Sequence, residues 1–277
     1  MIPSALPSRV SAILAPNPSP MTGRGTNTYI VQGGAETVVI DPGPDIESHL
    51  AAVAAAAGSR VAGVLLTHHH VDHSESARAL ADRLGAPVLG FPHPHMPDLD
   101  VVLADHERLS FGDTALEVVA TPGHSSDHAC FVLRDQGAVF AGDLVAGEGF
   151  IVIDPPDGDM ALYLESLRRL RDLGPTILLP AHGEPIHGAA ALLDTYISHR
   201  LDREERVLTA AVGGGDWRSL DEVLAVAYDD VNPAMWPVAR RSLLAHLNKL
   251  VEDGRLAREG QRSDETARYR AKGRSSA

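Results

Sequence analysis

Short apolar runs, broken by glycine, proline and small polar residues, set the rhythm of the chain from residue 29 to residue 179. The runs at 29–31, 37–40, 61–66, 87–91, 101–103, 115–120, 129–133, 138–141 and 176–179 are short and rich in Val, Ile, Leu and Ala. That length and composition predict buried strands. Gly33-Gly34 joins the first two as a hairpin, and Asp41-Pro42-Gly43-Pro44 ends the second as turn punctuation. Helical spacing fills the gaps. Residues 46–57 are Ala-rich and stop at Gly58, Ala77, Leu80, Ala81 and Leu84 share a face, and 160–173 closes on Gly174-Pro175. Ser74 is read as the N-cap of the second helix, with Glu75 placed to suit its dipole. Before all this, a Pro- and Ser-rich stretch carries one apolar piece at 10–14.

After Gly188 the period lengthens. A helical pattern covers 189–212, Gly213-Gly214-Gly215 breaks it, and further helices are predicted at 220–227 and 237–253. Two small strands at 256–258 and 268–270 complete three helices and a hairpin, the outline of a winged helix. The chain therefore divides into an α/β unit, residues 1–190, and a winged-helix-like α unit, 191–277, whose basic tail from about residue 271 is expected to be disordered.

Composition narrows the classes. No apolar stretch approaches the roughly 20 residues of a membrane span. The N-terminus lacks the basic and apolar regions of a signal peptide, which points to the cytoplasm. Cys130 is the only cysteine, so neither an intrachain disulfide nor a Cys-rich zinc knuckle is available. The net charge is −13, yet residues 237–277 hold ten Lys and Arg against five Asp and Glu. An acidic body with a basic end is compatible with a polyanion partner, and equally with a basic helix face packed on the body or on a second copy in a homodimer.

The candidate chemistry lies where apolar runs end. Val61-Ala62-Gly63-Val64-Leu65-Leu66 leads into Thr67-His68-His69-His70-Val71-Asp72-His73, and other runs lead to His124, Asp143 and His182. Side chains just past strand ends in layered α/β folds converge on one crevice. Seven ligands (His68, His70, Asp72, His73, His124, Asp143 and His182) exceed what one tetrahedral zinc takes, and fit two cations about 3.5–4 Å apart. His68 and His70, two apart in an extended loop, grip one cation with His124. Asp72 and His73 reach the other with His182, and Asp143 bridges. Zinc suits these donors first, and manganese or iron is compatible. Such a pair lowers the pKa of a shared water towards roughly 7, giving a metal-bound hydroxide, with Asp72 the catalytic residue that orients it or takes a proton.

These motifs resemble the metallo-β-lactamase superfamily, whose signature T-H-x-H-x-D-H stands here as residues 67–73, followed by Thr121-Pro122-Gly123-His124, Gly142-Asp143 and Pro180-Ala181-His182-Gly183. The resemblance implies an αββα sandwich with the metals at its rim. Ala181 departs from the usual glycine. Asn17-Pro18-Ser19-Pro20, Gly25-Thr26-Asn27-Thr28, His124-Ser125-Ser126-Asp127-His128 and Tyr196-Ile197-Ser198-His199-Arg200 are similar to the lactamase-β-like protein 2 branch, endoribonuclease-like and carrying an appended winged helix. That implies cleavage of phosphodiesters in single-stranded RNA. The alternative is a small-molecule ester, thioester or lactone hydrolase. β-Lactamase activity is at most secondary, because lactamases of the family place Cys or Ser where this chain has Asp143. A DNA-binding regulator is the third reading, weakened by a helix at 237–253 committed to packing.

Other residues receive plainer readings. His69 points away from its neighbours and is no ligand, His128 is a structural or supporting histidine, and His93 and His95 are rim residues. His187 and His199 pack beside a helix, and Cys130 is a small buried hydrophobe.

Overall fold

The computed structural model describes residues 6–213, 216–262 and 266–272. Its first sheet takes β1 (Val10–Leu14), β2 (Asn27–Gly33), β3 (Glu36–Ile40), β4 (Val61–Leu65), β5 (Val88–Gly90) and β6 (Val101–Val102) in that spatial order. The second takes β7 (Arg108–Phe111), β8 (Thr114–Ala120), β9 (Ala129–Leu133), β10 (Ala138–Gly142), β11 (Ile177–Pro180) and β12 (Ile186–His187), ordered from β12 to β7. Both sheets are mixed, with parallel pairs from β3 through β6 and between β10 and β11.

Side-chain alternation makes the layers. Tyr29, Val31, Val38, Ile40, Phe131, Leu133 and Phe140 fill the space between the sheets. Their neighbours Ile30 and Val39 face outward under α1 (Glu47–Ala57) and α3 (Ala77–Leu84). Cys130, Val132 and Val139 face outward under α4 (Met160–Asp172) and the first part of α5 (Ala189–Val212). Strands buried on both faces are apolar throughout, which is why they show as continuous runs in the sequence. The result is the expected αββα sandwich.

Beyond it, α6 (Leu220–Ala227), α7 (Trp236–Glu252) and the far part of α5 enclose a separate core around Leu224, Leu243, Leu247 and Leu250. A small sheet of β13 (Arg218–Ser219), β14 (Leu256–Glu259) and β15 (Arg268–Ala271) closes that unit as its wing. Helix α5 contributes Leu193 and Tyr196 to the sandwich and Val207 and Ala210 to the winged-helix core.

Two expectations need correction, and three strands are unforeseen. Ser74 is not an N-cap: it lies inside the single turn α2 (Val71–Ser74), and its hydroxyl donates to the carbonyls of His69 and His70 at 2.7 and 3.1 Å. Helix α3 starts after Ser76, whose side chain turns away to the Gly43 carbonyl. The strands β7, β12 and β13 go unpredicted because two are only two residues long and none is an apolar run. Ala271 closes β15 rather than opening a tail; residues 273–277 lie outside the described residues, as do Gly214 and Gly215 of the predicted glycine break.

Candidate metal centre

Four strand ends and one helical turn bring the predicted side chains together. Past β4 the chain stays extended through His68, His69 and His70, then turns into α2, so Asp72 and His73 swing to the other side of the cluster. Past β8 comes His124, past β10 Asp143, past β11 His182. The strand β4 belongs to one sheet and the others to the second, so the cluster sits where the two sheets open at a common edge.

Donor atoms sort into two groups. His68 Nε2 and His124 Nε2 lie 2.9 and 3.1 Å from His70 Nδ1, and Asp143 Oδ2 is 3.6 Å from His124 Nε2. In the second group Asp72 Oδ2 is 3.5 Å from His73 Nε2 and 3.4 Å from His182 Nε2. Asp143 spans both, with Oδ1 3.3 Å from His182 Nε2 and Oδ2 3.7 Å from His73 Nε2. Within each group the donor atoms lie within 4.8 Å of one another, a spread able to hold a metal ion.

The outer ring nitrogens fix which atoms face inward. His73 Nδ1 is 2.9 Å from Asp41 Oδ2, His124 Nδ1 is 2.9 Å from the Val152 carbonyl, and His182 Nδ1 is 3.4 Å from the Gly25 carbonyl. Each of these partners only accepts, so each Nδ1 donates and, in the neutral ring, each Nε2 turns a lone pair to the centre. The Thr67 hydroxyl donates to Asp41 Oδ2 at 2.7 Å and accepts from His68 Nδ1 at 3.0 Å, with the same effect. Inward lone pairs crowded at 2.9–3.1 Å repel unless a cation or proton lies between them. His73 Nε2 and Asp143 Oδ1 are buried without a hydrogen-bond partner. On donor chemistry and on these orphaned atoms, the residues fit divalent cations.

Electrostatics divide the same way. Burial, aided by neighbouring imidazoles, lowers His68 and takes His70 down to about 4, and burial lowers His124 as well. Neutral imidazole is the form a metal binds. In the other group burial opposes charge but the carboxylates outweigh it: Asp72, Asp143 and Asp41 hold His73 well above its ordinary range, and Asp143 and Asp72 raise His182 to about 9. Reciprocally, His73 and His182 overcome burial to hold Asp72 at about 2 and Asp143 well below the usual carboxylate range.

Other histidines take supporting places. Buried His128 accepts from the Asp143 backbone N–H through Nε2 at 3.1 Å, and its Nδ1 is 2.8 Å from the Thr121 hydroxyl. His69 turns away, 2.9 Å from Asp127 Oδ1, and stacks on His93 with ring centroids 3.6 Å apart. His199 stacks on Phe150, and His187 is exposed in β12. Cys130 is buried, and burial pushes its thiol up to about 12. Sequence reasoning misses Asp41 and Asp127. Asp41 looks like turn punctuation, and no pattern signals that a carboxylate will fold back on a histidine so far along the chain.

The fold and this cluster define a class: the chain belongs to the metallo-β-lactamase superfamily, generally metal-dependent hydrolases, whose profile matches residues 21–182. A beta-lactamase associated winged helix domain profile matches residues 219–265. Over 270 residues the chain is 32% identical to the beta-lactamase-like protein 2 homolog of Drosophila melanogaster, covering 91% of this chain and 90% of that protein. It is 36% identical over 212 residues to an atrochrysone carboxyl ACP thioesterase of Aspergillus fumigatus, covering 74% of this chain and 65% of that one. A metallo-beta-lactamase family protein of Thermus thermophilus has the same fold, with TM-score 0.80 and 24% identity over 96% of this chain and 100% of that chain. Among the described residues no helix is long and apolar enough to cross a membrane.

Proposed function

We propose that the chain is a dinuclear-metal hydrolase that cleaves a carbonyl substrate, an ester or thioester, with zinc its first choice of metal. His68, His70 and His124 would hold one cation and Asp72, His73 and His182 the other, with Asp143 reaching both. Two bound divalent cations acidify water and polarise the oxygen of the group under attack. The chain's own part is orientation. Asp72, partly open to solvent and receiving the Thr26 hydroxyl at Oδ2 (3.3 Å), would align the attacking water. The outer partners of His68, His73, His124 and His182 keep four Nε2 lone pairs aimed inward, so nothing must reorganise as charge develops.

The choice of bond draws support from the fate of five of the ten basic residues at 237–277, while, among the described residues, Arg258, Arg268 and Arg270 meet Asn248 and Trp217 instead of a carboxylate. Arg240 pairs with Asp221, Arg241 with Asp154, Lys249 with Glu204 and Asp253, Arg255 with Glu204 and Glu205, and Arg262 with Asp159 and Glu252. Cations spent on the chain's own carboxylates are poorly placed to release counterions from a polynucleotide. The likeness to a thioesterase supports the same choice. A second reading, hydrolysis of single-stranded RNA, draws support from the full-length likeness that includes the winged helix.

The test is a parallel assay of metal-loaded protein against a thioester, a lactone, nitrocefin and fluorescent single-stranded RNA. Turnover of the thioester or lactone, lost in Asp72→Ala, is expected. RNA cleavage alone, lost in Asp143→Ala, would overturn the choice of bond, and protein that takes up no metal would overturn the class of mechanism.

A further inference from the structure

The segment 149–154, between Asp143 and α4, is held residue by residue from the C-terminal helices. The Tyr196 hydroxyl donates to the Gly149 carbonyl at 2.8 Å. The His199 ring lies flat on Phe150, with centroids 3.6 Å apart and planes 7° from parallel. Buried Arg200 donates to the Ile151 carbonyl. The Ile153 N–H donates to the Ser242 hydroxyl at 3.2 Å, and Arg241 pairs with Asp154 at 3.2 Å. Only Val152 looks the other way, its carbonyl taking the Nδ1–H of His124 at 2.9 Å. Residues of α5 clamp 149–151, residues of α7 clamp 153–154, and the carbonyl between them sets the ring of a predicted ligand.

From this we infer that α5 and α7 splint the metal centre, and that Arg200 and Ser242 are positioning residues for His124, acting through the Val152 carbonyl. The physics is that of the outer partner of a metal-binding histidine. A fixed acceptor holds the tautomer and the ring plane, and loosening it costs metal affinity about 10–100-fold. Ile151 and Ile153 flank the acceptor directly, so freeing either one lets the peptide plane of Val152 rotate. The Arg200 guanidinium is always charged and donates along its plane to this buried carbonyl. The winged-helix unit thereby acquires a task at the reaction centre that requires no contact with nucleic acid. The inference rests on the metal-centre reading and not on which bond is cleaved.

Full-length protein carrying Arg200→Ala, Arg200→Lys or Ser242→Ala tests it with two readouts: zinc affinity by competition with a chromophoric chelator, and the ring N–H signals of His124 and His73 in 15N-labelled, zinc-loaded protein. Arg200→Ala and Ser242→Ala are expected to weaken zinc binding at least about tenfold. They should also shift the His124 signal or speed its exchange while leaving the His73 signal, held by Asp41, in place. Arg200→Lys should restore part of both. Wild-type zinc affinity and an unmoved His124 signal in folded Ser242→Ala, which loses a single hydroxyl, would overturn the inference even if Arg200→Ala fails to fold. Wild-type protein that binds no zinc would instead defeat the metal-centre reading beneath it.

Discussion

Asp41 sits in the left-handed region at φ 51°, buried at the end of β3, and its carboxylate accepts from the Thr67 N–H, the Thr67 hydroxyl and His73 Nδ1 at 2.8, 2.7 and 2.9 Å. Aspartate tolerates that backbone better than most residues. One side chain thus orients His73 directly and His68 through Thr67. Asp41→Asn keeps the shape but places a donor against groups that already donate, and metal affinity should fall about 10–100-fold with the secondary structure kept. Chelator competition beside circular dichroism measures both. The ligands themselves are legible in the sequence, because a histidine or aspartate following an apolar run is conspicuous. Their supports are not: Asp41 has the local signature of a turn, and only the parallel pairing of β3 with β4 carries it to Thr67.

Among the elements, the junction of β8 with α4 is especially tight. Gly123 has φ 134°, and a Cβ there would lie 2.3 Å from the Tyr163 backbone nitrogen inside α4. Its carbonyl accepts from the Asp159 N–H at 2.8 Å, and Asp159 caps α4 by accepting from Ala161 and Leu162. The glycine therefore lets a strand end and a helix start touch, with His124 fixed at the contact. Gly123→Ala should cost about 2 kcal/mol or more through strain and displaced backbone, and weaken metal binding as His124 moves. Denaturant unfolding and metal titration of the same preparation would reveal both losses. Elements with a repeating apolar face are readable at this scale. The two-residue strands β12 and β13 have no period to read and owe their existence to partners already in place.

The molecule as a whole holds a second buried polar cluster, where α5 meets α7. His246 is fully buried, and burial, with Arg200, Arg203, Lys249 and His199 nearby, holds its ring well below the ordinary range although Glu204 lies 4.0 Å away. Its folded pKa is depressed, so the unfolded chain binds the proton that the folded chain refuses. Stability is then complete above the unfolded value near 6.5 and declines as pH falls below it, by about 1.4 kcal/mol per pH unit for this one group. His246→Gln should flatten that part of the melting-temperature profile relative to wild type, and an unchanged profile would refute the assignment. Nothing in the local sequence marks this histidine, since α7 reads simply as an amphipathic helix.

The two profile matches leave residues 183–218 between them, and α5 occupies most of that interval as one uninterrupted helix of 24 residues. A cut placed there would strip Leu193 and Tyr196 of their cover on one side, or Val207 and Ala210 on the other. Either fragment would show water an oily stripe that the intact chain hides. The interval between the two profile matches is therefore one helix shared by two cores, and a fragment ending inside it is expected to lose stability.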